Sequence, residues 1–335
     1  MAERGGDEAL ADLIGNIPAR EALAAAIASG SLHHAWLIAG PEGVGKGRFA
    51  RMAALRMLAE AAEPEKLRPG WDVPETTRTW HLAEAGSHPD FRVLQRLPKD
   101  PEKPDEALAR SITIAQVRSL QPLFATKPSL SSRRVVIINA IDDLERGGAN
   151  ALLKNLEEPP TGTIFLLVSH APGRLLPTIR SRCRLLRFEP LPASEVATVL
   201  RAELPQASAA EVDALVRAGE GSPGRALGFA GLDIATLETD MARLANSGDP
   251  DNAIRSRLAK LLGAKAAQPR YEAFLERAPT FIAERARDLS GEALRTALDA
   301  YTAARELGSA AIGLSLDAGA TVFEMSGLIA RLGRH

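Results

Sequence analysis

Seven consecutive residues, Gly40-Pro41-Glu42-Gly43-Val44-Gly45-Lys46, form the stretch of this sequence best suited to holding a phosphate. Glycines let backbone N–H groups converge on phosphate oxygens, a following helix adds its positive end, and a lysine ammonium reaches the terminal phosphates. Groups that a hydrolytic site also needs are missing. Gly47 stands where a Ser or Thr hydroxyl would ligand Mg²⁺. At the end of the apolar run Val135 to Ile138, one carboxylate would hold the metal's water shell and a second would activate the attacking water, but the residues there are Asn139 and Ala140. An amide carries no charge and alanine accepts no proton. Asp142 and Asp143 come next and read as the N-terminal cap of a helix rather than a displaced catalytic pair. Three losses at one site predict a loop without hydrolytic activity. Through Gly40, Gly43, Gly45 and Lys46 it would bind ATP or ADP weakly at most.

A second constellation is cationic. Arg174, Arg180, Arg182, Arg184 and Arg187 fall in one stretch with no acid among them. Such a cluster reads as a solvated basic face or a patch touching DNA phosphates. A sharper reading is an arginine finger, a guanidinium on the domain rim that enters a neighbouring subunit's ATP site and stabilises developing phosphoryl charge.

These residues need a scaffold, and the hydrophobic pattern supplies one. His34 to Ala39 reads as a buried strand running into the glycine loop, and Arg48 to Leu58 as the helix after it. The order strand, loop, helix is that of an α/β nucleotide-binding domain. Arg134 to Ile138 and Thr163 to Val168 read as central parallel strands covered on both faces, with a helix from Ala149 to Leu156 between them and a further strand at Arg184 to Phe188. Apolar spacing predicts helices from Leu10 to Ile27, broken around Gly15-Asn16, and from Ile114 to Leu123. Residues 62–103 form a Pro- and charge-rich insertion interrupted by a strand at Phe91 to Leu94. Ala193 to Leu204 and Ala209 to Ala218 read as short amphipathic helices of a lid, and Ala-, Leu- and Arg-rich segments at helical spacing run from Leu232 to the end. The expected division is 1–188, an α/β core; 189–231, a helical lid; and 232–335, an all-helical domain.

Composition narrows the class. The 335 residues carry 41 basic and 42 acidic side chains, 45% hydrophobic residues and 25% charged ones, the balance of a globular protein of two or three domains. With a net charge of −1, any DNA contact would be local rather than global. A single cysteine, Cys183, excludes an intramolecular disulfide and a multi-thiolate metal site. The charged start MAERGGDEAL lacks an apolar leader core, and no apolar run approaches the length of a membrane span, so a cytoplasmic protein is expected.

Four segments in order resemble the clamp-loader branch of the AAA+ superfamily: His33 through Arg51, Asn150 through Pro160, the triplet Ser181-Arg182-Cys183, and Gly221-Ser222-Pro223-Gly224-Arg225. The resemblance covers roughly Leu13 to Leu227. It implies an AAA+ P-loop core with a helical lid and a C-terminal collar. It also implies a non-hydrolysing subunit of the loader of the bacterial DNA polymerase III holoenzyme, with no ATPase activity of its own. Partners would be the gamma/tau ATPase subunits, the delta subunit, the sliding clamp and primed DNA, with no membrane. Arg182 would act in trans on an adjacent ATPase subunit, Arg225 would sit where a second sensor touches bound phosphates, and Ser169-His170 where a first sensor does. Much of that family carries a four-cysteine zinc module where this chain has residues 62–88; here only His81 and His88 remain, too few for zinc. No metal and no required cofactor are expected. The alternatives are an active ATPase subunit of the same loader, which Gly47, Asn139 and Ala140 count against, and a stand-alone AAA+ regulator or DNA-binding adaptor.

Overall fold

The structure, a computed structural model, describes residues 13–100, 102, 108–314 and 316–333. Residues 10–12 of the expected first helix, and residues 101 and 103 at the end of the expected insertion, lie outside the described residues. The chain forms two compact units: the described residues up to Val199 with Gly221–Gly224, and Leu200–Glu220 with the described residues from Arg225 onward.

The first unit is built on a five-stranded sheet of β1 (Ala35–Ala39), β2 (Phe91–Leu94), β3 (Arg134–Asn139), β4 (Thr163–Ser169) and β5 (Arg184–Arg187). The order is β2-β3-β4-β1-β5 and every pairing is parallel. The strand foreseen inside the insertion is therefore an edge of the same sheet. β1, β3 and β4 are near-continuous apolar runs because each is covered on both faces. Successive side chains point to opposite faces, so Trp36 and Ile38 join one core with Leu23, Phe49, Met57 and Phe188, while Leu37 and Ala39 join another with Ile112, Leu152, Leu156 and Ile179.

The helices of this unit are α1 (Ile17–Ala28), α2 (Lys46–Ala62), α3 (Arg78–Glu84), α4 (Ile114–Arg118), α5 (Gln121–Phe124), α6 (Arg146–Glu157), α7 (Pro177–Arg180) and the first part of α8 (Ala193–Glu203). The single helix expected from Ile114 to Leu123 is two short ones. Thr113 opens α4 with a capping box to Gln116, and Pro122, which has no N–H to donate, stands in the first turn of α5. α2 contributes nine buried apolar residues between Phe49 and Ala59 to the core; burying Phe49 alone is worth about 2–3 kcal/mol.

The second unit is helical: the end of α8, α9 (Ala209–Gly219), α10 (Pro223–Gly228, whose first two residues belong to the first unit), α11 (Ile234–Ser247), α12 (Ala253–Leu262), α13 (Gln268–Ala286), α14 (Gly291–Leu314) and α15 (Ala318–Ala330). Leu237, Met241, Leu258, Phe274, Ile282, Val322 and Met325 are all at or near zero exposure, so the periodicity read from the sequence does bury one stripe of each helix. Arg277 lies in the same interior. It donates to Glu238 at 2.5 Å and Glu284 at 2.7 Å, which hold its pKa above the ordinary guanidinium value against the opposing pull of burial. No described helix is long and apolar enough to cross a membrane.

Candidate functional site

The glycine loop connects β1 to α2, as its sequence requires. Gly40 N–H donates to Ser169 O at 3.2 Å and Phe188 N–H donates to Ala39 O at 2.7 Å, so the loop leaves the sheet pinned between β4 and β5. A Cβ at Gly40 would stand 2.0 Å from Phe188 O, and Gly45 has φ +91°, a left-handed value that glycine reaches without strain. Lys46 is buried, and its ammonium donates to the carbonyl of Pro41 inside the same loop. Two further loop carbonyls are also taken. Glu42 O accepts from Ser222 Oγ at 2.7 Å and Gly43 O from Gly224 N–H at 2.9 Å. The structure thus brings together Gly40, Gly43, Gly45 and Lys46, and adds Ser222 and Gly224 to them. Arg225 is engaged within the second unit, where Glu220 and, at 2.7 Å, Glu276 accept from its guanidinium.

The metal-handling positions face each other. A Cβ at Gly47 would stand 2.9 Å from Asn139 Nδ2, so the amide occupies the space a hydroxyl-bearing side chain at position 47 would enter. Asp142 does not cap a helix, contrary to the expectation. It lies in a 3₁₀ turn, Ile141–Asp143, and accepts from Ser169 Oγ at 3.0 Å, His170 N–H at 2.7 Å and Ala171 N–H at 3.0 Å. The end of β4 needs partners for these donors more than α6 needs a cap, and Asp142 is the carboxylate within reach. Asp143 pairs instead with Arg96 at 3.1 Å. His170 Nδ1 is buried without a hydrogen bond; burial, reinforced by Lys46, holds its pKa below the ordinary imidazole value despite Glu42, Asp142 and Asp143, so the ring is neutral at pH 7.

Arg182 is placed by α7 and β5. It follows the C-terminal turn of α7 and precedes the first residue of β5, whereas the glycine loop follows the last residue of β1, the parallel neighbour of β5. Its guanidinium therefore lies toward the opposite end of the sheet from its own chain's loop. There it pairs with Glu157 Oε1 at 2.5 Å and donates to Thr178 O at 2.8 Å, and it is about a third exposed. Of the other arginines, Arg184 lies over the Trp36 ring at 5.8 Å, while Arg180 and Arg187 line a cleft of about 470 Å³ floored by Leu37 and Leu185. Cys183 lines the same cleft, donates to Ile179 O at 3.2 Å and has its pKa pushed up by burial to about 12.

The profile of the family described as "DNA polymerase III, delta subunit" matches residues 16–192, more than half of the chain. The chain belongs to this family. Several of its relatives bear the delta prime name. It is 36% identical over 192 residues to DNA polymerase III subunit delta prime of Pseudomonas aeruginosa, covering 57% of this chain and 53% of that protein. It is 36% identical over 231 residues to the delta prime subunit of Escherichia coli, covering 69% and 64%. The tau subunit of E. coli is 29% identical over 254 residues, covering 74% of this chain and 36% of that protein. The chain thus spans between about half and two thirds of these two delta prime relatives.

The insertion of residues 62–103 is tied down by hydrogen bonds and ring contacts. Arg56 Nη1 donates to the carbonyls of Arg68 at 2.7 Å and Asp72 at 3.1 Å, and Trp71 sets its ring edge-on to Phe49 at 5.2 Å. Glu63 Oε2 accepts from the N–H of Arg78 at 2.8 Å at the start of α3, whose N-cap is Thr77. His81 stacks edge-on against Trp80, and His88 Nδ1 accepts from Asp90 N–H at 3.1 Å. Among the described residues, no group of three or more His, Cys, Asp or Glu is placed to hold a metal.

One polar pair escaped the sequence reading. Asp90, just before β2, is fully buried and accepts from Ser129 N–H and Leu130 N–H at 2.8 Å. It also pairs with the buried Arg134 at 3.5 Å. An arginine opening an otherwise apolar strand was the available signal, since such a charge must find a carboxylate.

Proposed function

We propose that this chain is the non-hydrolysing delta prime subunit of a DNA polymerase III clamp loader and that it lends Arg182 to the ATP site of a neighbouring ATPase subunit. Its partners are the gamma/tau ATPase subunits, the delta subunit and the sliding clamp, which the assembly places on primed DNA in the cytoplasm. The α/β core of residues 1–188 and the lid of residues 189–231 form the subunit's arm, and residues 232–335 join the collar. The phosphate loop holds nucleotide weakly at most, through Gly40, Gly43, Gly45 and Lys46, with Arg225 as a vestigial sensor, and the subunit uses no zinc and no other cofactor.

The observation that carries this reading is Gly47 against Asn139. The hydroxyl and the carboxylate that would share a magnesium ion are both replaced, and the amide has taken up the room between them. Without the ion, the charge that develops on a transferring phosphoryl group is left unneutralised. Arg182, by contrast, keeps a cationic donor at the sheet end away from that loop, where it serves a neighbour better than its own chain.

Reconstitution with two variants tests the proposal. Arg182→Ala is expected to lower DNA-stimulated ATP turnover by the partner subunits on the order of 10³-fold, and Lys46→Ala to leave it unchanged. Turnover that depends on Lys46 and not on Arg182 would replace this reading with an active ATPase subunit.

A further inference from the structure

β5 is an edge of the sheet: among the described residues, β1 runs along one side of it and no strand along the other. Hydrogen bonds at its end show which residues face which way. Phe188, just beyond β5, donates its N–H to Ala39 O on the β1 side. Glu189 faces outward, and there the side chain of Asn16 stands in for a sixth strand. Asn16 Oδ1 accepts from Glu189 N–H at 2.7 Å, and Asn16 Nδ2 donates to Glu189 O at 3.2 Å. Along a parallel strand, alternate residues turn their backbone groups to the same side. Leu185 and Arg187 therefore share the outward direction of Glu189, and their N–H and C=O groups have no neighbouring strand to pair with.

The same two residues turn their side chains to one face. Leu185 lies in register with Leu37 and Arg187 with Ala39, so both side chains stand on the α7 side and line the cleft of about 470 Å³. Leu185 is 50% exposed there. Arg187 and, from α7, Arg180 share the cleft with it; both are exposed, neither has an ion pair among the described residues, and the lining holds no Asp or Glu. An open strand edge, an uncovered leucine and two unopposed guanidiniums on one side fit an extended peptide that carries aliphatic and acidic side chains at alternate positions, hence on one face. Two other occupants fit less well. A second copy of β5 would set arginine against arginine. A nucleic-acid strand would meet the charges, but it brings neither a peptide backbone for the edge nor an aliphatic side chain for Leu185.

We propose that the outer edge of β5 binds an acidic, extended segment of a partner protein as a sixth strand. Leu185 and Arg187 pair with it through their backbone, and Arg180 and Arg187 meet its carboxylates. The proposal rests on neither the phosphate loop nor Arg182.

Titration of the ¹⁵N-labelled full chain with the peptide Thr-Glu-Thr-Leu-Thr-Glu-Thr, which sets Glu, Leu and Glu on one face of a strand, tests it. Binding should be saturable and should slow hydrogen exchange at the Leu185 and Arg187 amides, leaving Leu186, already directed at β1, unchanged. The scrambled peptide Glu-Glu-Leu-Thr-Thr-Thr-Thr should bind more weakly. Arg187→Gln should weaken binding about threefold, as loss of an exposed ion pair does. Arg187→Glu should weaken it at least about tenfold, since a like charge then faces the peptide, and Arg180→Glu, on α7, decides the same question should the strand not tolerate that change. Unaltered exchange at Leu185 and Arg187, equal binding of the scrambled peptide, or undiminished binding by the charge-reversal variants would overturn the proposal. So would protection of the same two amides on raising the protein concentration alone, which would assign the edge to a second copy. Tighter binding of a single-stranded oligonucleotide, weakened by the same variants, would assign it to nucleic acid instead.

Discussion

A Cβ placed on Gly47 would stand 2.9 Å from Asn139 Nδ2, so the two degenerate positions of the phosphate loop and the β3 end are in contact with each other. Restoring one without the other should therefore fail. Gly47→Thr alone is expected to gain no Mg²⁺-dependent affinity for ATP, because its hydroxyl meets an amide instead of a carboxylate. The double variant Gly47→Thr with Asn139→Asp is expected to bind a fluorescent ATP analogue more tightly with Mg²⁺ than without. Equal affinity in both conditions for the double variant would count against the pairing.

Arg182 and Glu157 form a pair whose side chains are 32% and 49% exposed. An ion pair so open to water contributes little to folding. Urea denaturation should place Glu157→Gln and Arg182→Ala each within about 1 kcal/mol of the parent chain, which separates any effect on a neighbour's ATP turnover from a failure to fold.

Asp90 and Arg134 sit at 0% exposure, and the carboxylate also receives two backbone N–H groups. Removing one partner leaves the other charge buried and uncompensated. Asp90→Ala is expected to cost about 3–5 kcal/mol, read as a lowered denaturation midpoint, whereas a loss below about 1 kcal/mol would show that the pair is not an anchor.

Asp249 caps the start of α12, accepting from Ile254 N–H at 3.1 Å and Arg255 N–H at 2.9 Å. Burial pushes its carboxyl up, but those N–H groups and the Arg255 guanidinium outweigh burial and hold it below the ordinary value. A carboxyl depressed by folding stabilises fully above its unfolded value, about 3.9, and ceases to do so as pH falls through its folded value. Asp249→Ala should then cost about 1–2 kcal/mol at neutral pH, and the gap from the parent should close in acid below pH 4. A gap independent of pH across that range would contradict the assignment.

The Cys183 thiol, at about 12, carries almost no thiolate at pH 8. Against an unfolded thiol near 8.5, its alkylation by iodoacetamide should be slower by on the order of 10³-fold in the native chain. Native and denatured labelling rates that agree would place the thiol in solvent.

Legibility in the sequence followed burial. β3 and β4 could be read almost residue for residue because strands covered on both faces need unbroken apolar runs. α6 was seen from Ala149 and begins at Arg146, since Gly147 and Gly148 weaken the helical signal without preventing the turn. The two carboxylates that matter most to the local structure were the least visible. Asp142 was read by its neighbours in sequence, but its partners lie 27 to 29 residues away at the end of β4. Asp90 and Arg134 are separated by 44 residues and meet only because β2 and β3 pair. The glycine loop was legible because its chemistry is local. Its second set of contacts, Ser222 and Gly224 on the carbonyls of Glu42 and Gly43, had to wait for the chain to return from about 180 residues downstream.

The strapping of the insertion has a consequence for how this protein meets its chemical surroundings. Guanidinium-to-carbonyl bonds from Arg56, a carboxylate cap from Glu63 and an indole set on a phenyl ring are indifferent to chelators and to peroxide at levels that would strip or oxidise a cluster of metal thiolates. A segment held in this way keeps its shape under chelation or oxidation that would dismantle a metal-thiolate cluster.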